Sequence, residues 1–234
     1  MEASILSKVI LPLALFTVML GMGLSLAKKD FLDIGKSPKG LVVGLFGQML
    51  LLPTLALSIL YAFKFPPEIS VGFFILSLCP GGVTSNMYSY LAHANVALSI
   101  SLTAVVSVLT PFTIPFLASW AMNGFMGSAS EFQLPLVKTI TTLIIITVVP
   151  VAIGMFIKSK KPDIAANAEK IVKVLSMIFL FLIIGAIAAQ NWNDIPRFFK
   201  IVGWACLFLN LAGMALGFSF SKLLKLCTKD AKTI

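Results

Sequence analysis

The chain has 234 residues, of which 59% are hydrophobic and only 12% charged, with a mean hydropathy of +1.01 and a formal charge of +9. That balance excludes a soluble globular domain and points to an all-α polytopic membrane protein embedded in a lipid bilayer. The lysines cluster between apolar runs, and no basic stripe is interleaved with aromatics. The charge therefore reads as positive-inside bias, with no nucleic-acid partner.

The first apolar run, 9–27, contains Gly21-Met22-Gly23, small residues suited to close helix packing. It lacks a basic leader and ends at Lys28-Lys29 without a small-residue cleavage site, so it reads as a transmembrane helix, not a signal peptide. Run two is 40–63, with Gln48 midway and a Gly40/Gly44/Gly47 packing ridge. Run three is 69–92, interrupted at 80–82 by Pro80-Gly81-Gly82. Run four is 95–120. A Gly/Ser-rich connection without lysine, 121–133, leads to run five, 134–157. Lysines 158, 160, 161, 170 and 173 are read as one loop before run six, 174–189. Run seven is 201–220, followed by Lys222, Lys225, Lys229 and Lys232.

Short lysine-rich loops belong on one side of a membrane. An even number of crossings must therefore separate the loops at 28–39 and 158–173. That holds only if the interrupted third run crosses once, as two halves of about 16 Å each spanning a core of about 30 Å. The same parity places the N-terminus outside and the C-terminus in the cytoplasm.

The third run is the informative one. Apart from His93, nothing between Glu68 and Glu131 ionises near neutral pH. Proline lacks an N–H and glycine weakens a helix, so the backbone should unwind at 80–82. In hydrocarbon, unwound backbone is tolerated only where protein or a wet cavity covers it, and a broken helix is the best pointer to a transporter's site. Ser85 and Asn86 open the second half of this helix. Ser99 and Thr103, four residues apart, share a face of the next one. With Gln48 they supply five neutral oxygen-bearing side chains near mid-depth, a set suited to dehydrated Na+. Gly81, Gly82, Val83 and Thr84 lie at the start of the second half-helix. Its positive dipole end and unpaired N–H groups can receive an anion.

Each feature has a plainer alternative. Ser99 or Thr103 alone can back-bond to the preceding turn or join helices. The break can be a kink with no ligand. Asn210 is expected to bond between helices, and Cys79 and Cys206 to lie in the core. Trp120, Trp192 and Trp204 read as interface anchors, and Pro53, Pro111, Pro115 and Pro150 as kinks. His93 is expected at the membrane interface. An enzyme is disfavoured: there is one histidine, no acid inside an apolar run, and no nucleophile or metal-ligand spacing.

These residues resemble the bile acid:sodium symporter family. The stretch Cys79-Pro80-Gly81-Gly82…Ser85-Asn86, followed by Asn95-Val96-Ala97-Leu98-Ser99…Thr103, carries the resemblance. Gly21-Met22-Gly23-Leu24, Gly47-Gln48 and Pro53 also fit it in order, so it covers essentially the whole chain. It implies two inverted repeats, a core domain with two crossed broken helices, and a panel domain that rocks against it. It also implies sodium-coupled symport of an organic anion at the cell membrane. By position, Ser85, Asn86, Ser99 and Thr103 would line one sodium site and Gln48 would contribute to a second. The family's second broken helix opens with a glutamate serving both sites. Here the sequence stops at Asp230-Ala231-Lys232-Thr233-Ile234, which resembles the lead-in to that helix. The expectation is a C-terminally truncated symporter lacking the last two helices and inactive alone. A non-transporting membrane subunit or relic, and a carrier of other cargo of the arsenite or auxin type, stay open. Neither the anion nor the oligomeric state can be read from the sequence.

Overall fold

The computed structural model describes residues 11–26, 37–127 and 141–234. Regular structure among them is helical, with no strand. In chain order the helices are α1 (Leu11–Ser25), α2 (Pro38–Phe63), α3 (Pro67–Leu78), α4 (Val83–Leu91) and α5 (Val96–Met126), then α6 (Thr141–Lys160), α7 (Pro162–Gln190), α8 (Ile195–Leu223) and the short α9 (Thr228–Ala231). Helices α2, α5, α6, α7 and α8 are long and apolar enough to cross a membrane, and α3 is a shorter apolar helix. The chain is a multi-pass, all-α membrane protein.

Proline sets several boundaries. Pro38, Pro67 and Pro162 stand in first turns, where the missing N–H has no helical partner to lose. Pro53 and Pro150 sit just behind π-helical turns at Gly47–Leu51 and Ile144–Val148. Pro111 and Pro115 stay inside α5.

Three of the sequence boundaries move; one of them is the start of α8, at Ile195 instead of 201. Residues 162–173, read as part of a lysine-rich loop, are the opening turns of α7. Charge lowers hydropathy but does not break a helix. At 29 residues α7 is about 44 Å long and overruns a core of about 30 Å, leaving room for a charged end. Likewise α5 continues past 120 to Met126. Lys28, Lys29 and Lys36, and residues 128–133 of the lysine-free connection, lie outside the described residues.

The chain divides into two compact units, one from 1–29 and 137–196, the other from 30–136 and 197–234. In the first, α1, α6 and α7 pack together. Gly23 of α1 meets Gly154 of α6 backbone to backbone. A Cβ on Gly23 would lie 2.7 Å from Val151 Cα, and one on Gly154 would lie 2.6 Å from the Gly23 carbonyl carbon. Gly21 instead receives the Val172 side chain of α7, whose Cγ1 would lie 2.9 Å from an added Cβ. Lys158 Nζ donates to the Ser25 carbonyl, capping the end of α1. Lipid tails are as apolar as leucine, so close van der Waals packing has to hold these helices.

In the second unit, Ala56, Ile59 and Leu60 of α2 form a core with Phe73 and Phe74 of α3, Ala121 of α5, and Ala205 and Leu209 of α8. Two glycines of the expected ridge, Gly40 and Gly44, seat α2 on α5, whereas Gly47 faces Ile234. Cβ atoms on Gly40 and Gly44 would lie 2.9 Å and 2.7 Å from Leu98 and Leu102 side chains.

Gly23→Ala or Gly154→Ala should force α1 and α6 apart and lower stability in detergent by about 1–3 kcal/mol, the usual range for overpacking. Gly72→Ala and Gly185→Ala, whose added methyls meet nothing within 4 Å, should not. Thermal unfolding of the four variants checks the contrast.

Candidate functional site

The residue before a proline is driven into extended conformation, and Cys79 has φ −65° and ψ 140°. Helix α3 therefore stops at Leu78. Gly82 is also extended, at φ −86° and ψ 171°, and α4 starts at Val83. The half-helices have 12 and 9 residues, about 18 Å and 13 Å, which together match one crossing.

A cavity of about 430 Å³ opens at this break. Its walls include Gln48 of α2, Cys79, Pro80 and Gly81 of the break, Ser85 of α4, and Ser99 and Thr103 of α5. Gly81 is the vertex. A Cβ there would sit 3.6 Å from Ser85 Oγ, 3.8 Å from Thr103 Oγ1 and 3.9 Å from Gln48 Nε2. Three side chains separated by as many as 55 positions thus converge on the space beside one glycine, where any other residue would carry its Cβ.

The hydroxyls divide into two kinds. Thr17, Thr54, Ser58, Thr110 and Thr147 donate to the carbonyl four residues back on their own helices. Ser99 and Thr103 do not. Ser99 Oγ donates to Asn86 Oδ1 across to α4 at 2.7 Å. Thr103 is 6% exposed, and its hydroxyl lines the cavity with no hydrogen bond to another described residue. Ser85 Oγ donates to the Gly82 carbonyl at 2.7 Å, closing the first turn of α4. Gln48 Nε2 reaches the Cys79 carbonyl at 3.5 Å, a long contact. In this orientation Gln48 presents its donor to the break. Rotating the amide by 180° would present the oxygen.

Asn86 does not line the cavity and touches the site through Ser99. Gly81 lines it and Gly82 is exposed. Val83 and Thr84 are the first residues of α4, and their side chains lie outside the described set. Cys79, expected in the core, is exposed, because the extended backbone before Pro80 turns it out of the packed stripe. Cys206 is half-buried. Asn210, expected to bond between helices, donates instead to the Cys206 carbonyl of its own helix at 2.9 Å and lines the cavity. Only its depth in an apolar run pointed to it. His93 is exposed in the turn after α4, with φ +52°.

No Asp or Glu side chain lines the cavity, and no cluster of three His, Cys, Asp or Glu that could hold a metal occurs among the described residues. The donors are hydroxyl, amide and carbonyl oxygens. Such hard, neutral ligands suit an alkali cation better than a transition metal.

A membrane protein with a broken helix facing a cavity that hydroxyl and amide side chains enter is of the secondary-transporter class. The chain matches the model of the sodium bile acid symporter family over residues 12–197 and belongs to that family. It is 28% identical over 218 residues to the uncharacterized sodium-dependent transporter YocS of Bacillus subtilis, covering 93% of this chain and 66% of that protein. It is 30% identical over 234 residues to the human ileal sodium/bile acid cotransporter, covering 99% and 66%. To the probable sodium/metabolite cotransporter BASS1 of Arabidopsis thaliana, a chloroplast protein, it is 25% identical over 216 residues, covering 92% and 52%. The chain thus spans between about half and two thirds of the length of these curated relatives. The family and its named members are transporters, not enzymes.

Thr103→Val should leave stability in sodium-free buffer unchanged, since no bond is broken. Ser99→Ala leaves Asn86 Oδ1 without its donor and should lower stability by about 1 kcal/mol. Paired thermal melts in choline salt distinguish the two.

Proposed function

We propose that the chain is the larger part of a sodium-coupled carrier of organic anions. The observation that carries this reading is the convergence of Gln48, Ser85 and Thr103 on Gly81, at a backbone break inside an apolar helix pair. Sodium, as co-transported cargo, would be held by the oxygens of Ser85, Asn86, Ser99 and Thr103, and by Gln48 after its amide turns. Binding to Asn86 would draw its Oδ1 away from Ser99, so ion and hydrogen bond compete for one oxygen. The anion would dock at Gly81, Gly82, Val83 and Thr84, where the N-terminus of α4 carries positive partial charge. Relatives named for bile acid and metabolite cotransport support an organic cargo.

The unit holding the broken helix corresponds to the core domain that the resemblance implies, and the α1, α6, α7 unit to the panel. The lysines after α8 support a cytoplasmic C-terminus and, by parity, an N-terminus outside the cell membrane. The described cavity offers sodium no Asp or Glu side chain. A desolvated cation among neutral ligands is weakly compensated. The second broken helix of the family, with its glutamate, would complete the site.

Two outcomes are expected. Sodium should raise the melting temperature of the 234-residue chain above that in choline at equal ionic strength, and Gly81→Ala should abolish the difference. Its methyl fits at 3.6–3.9 Å without a clash but fills the vertex. A sodium effect untouched by Gly81→Ala would sink this site. In liposomes the same chain should show no sodium-dependent uptake. Uptake by it would contradict the incomplete site and leave the carrier reading standing.

A further inference from the structure

Asn95, in the turn between α4 and α5, has every polar atom engaged. Its Oδ1 accepts from the Leu98 N–H at 3.1 Å, capping α5. Its carbonyl accepts the Ser99 N–H at 3.1 Å. Its Nδ2 donates to Asp230 Oδ1 at 2.7 Å and reaches Ser37 Oγ at 3.5 Å. Its backbone N–H donates to Thr233 Oγ1 at 3.0 Å. Thr233 returns its one proton to the carbonyl of Lys229 or of Asn95, at 3.0 and 3.2 Å. A plain helix cap needs only the first two of these bonds. The rest tie the start of α5 to the start of α2 and to a turn 135 residues away in sequence.

The place of Asn95 at the head of α5 gives the tie a use. Ser99 and Thr103 lie four and eight residues further along, on the same face, about 6 Å and 12 Å along the axis. A shift or rotation at Asn95 passes rigidly to both hydroxyls. Thr233 also lines the cavity, so the clasp joins two of its walls.

We propose that Asn95 is a positioning residue for the α5 hydroxyls, locked by Asp230 and Thr233. This rests on the reading of Ser99 and Thr103 as sodium ligands. Asn95 touches no cargo itself. It sets the distance between α5 and the break, and hence the concentration at which sodium binds.

The test uses a swap in the full 234-residue chain. Asn95→Asp keeps a good cap but sets a carboxylate against Asp230. Adding Asp230→Asn restores a donor–acceptor pair with its direction reversed. The half-saturating sodium concentration for thermal stabilisation should rise about tenfold in Asn95→Asp, the scale of one hydrogen bond to a charged group, and return to near wild type in the swap. Electrostatics alone predicts the opposite sign, since an added carboxylate attracts sodium. Hydrogen exchange of the amides of residues 97–103, in sodium-free buffer, should quicken in Asn95→Asp and recover in the swap. Unchanged exchange in Asn95→Asp overturns the clasp whatever sodium does. Faster exchange with the sodium midpoint in place, while Thr103→Val moves that midpoint, overturns the positioning role alone. A wild type without any sodium-specific shift overturns the cation site and the positioning role together.

Discussion

Peptide groups that leave a helix inside an apolar layer must find partners, because each unpaired one costs several kcal/mol in hydrocarbon. The break at Cys79–Gly82 creates that demand in the middle of one crossing. The second unit answers it locally and at a distance. Ser85 turns back to the Gly82 carbonyl, and Gln48 reaches the Cys79 carbonyl from α2. Gln48 can do so because Gly40 and Gly44 let α2 lie close against Leu98 and Leu102 of α5. The small residues of one helix and the polar residues of another thus serve the same end.

Helix α5 carries the chemistry of the cavity because the two hydroxyls it places there, Ser99 and Thr103, are withheld from their own backbone. Thr110, further along the same helix, satisfies itself on Val106, and similar hydroxyls on α1, α2 and α6 do likewise. Ser99 is instead engaged across the helix pair and Thr103 faces the cavity. A hydroxyl spent on its own helix has little left for an ion. That difference in bonding separates the two from these other hydroxyls more sharply than their residue type does.

The first unit has a different character. It contains α1, α6 and α7, and none of the candidate ligands. Its internal contact is backbone against backbone at Gly23 and Gly154, with Lys158 closing the end of α1. Packing of that kind favours a stiff body over a binding surface. The cavity at the break belongs to the other unit.

Much of this was legible in the sequence because the rules involved are local. Proline dictates the extended residue before it, so the break could be placed from Pro80-Gly81-Gly82 alone. Hydropathy placed the apolar runs, and the 3.6-residue period put Ser99 and Thr103 on one face. What stayed hidden depends on partners distant in sequence or on geometry. Charged residues lower hydropathy without ending a helix, so the first turns of α7 read as loop. Asn210 chose its own helix over a neighbour, and Cys79 left the core, because the broken backbone opened a cavity beside them. The bond between Asn95 and Asp230 spans 135 positions. Composition and periodicity thus determined by themselves that this chain lies in lipid and where one span must break. Only the tertiary structure decided which oxygens meet at Gly81, because that requires helices remote in sequence to approach within one side chain of each other.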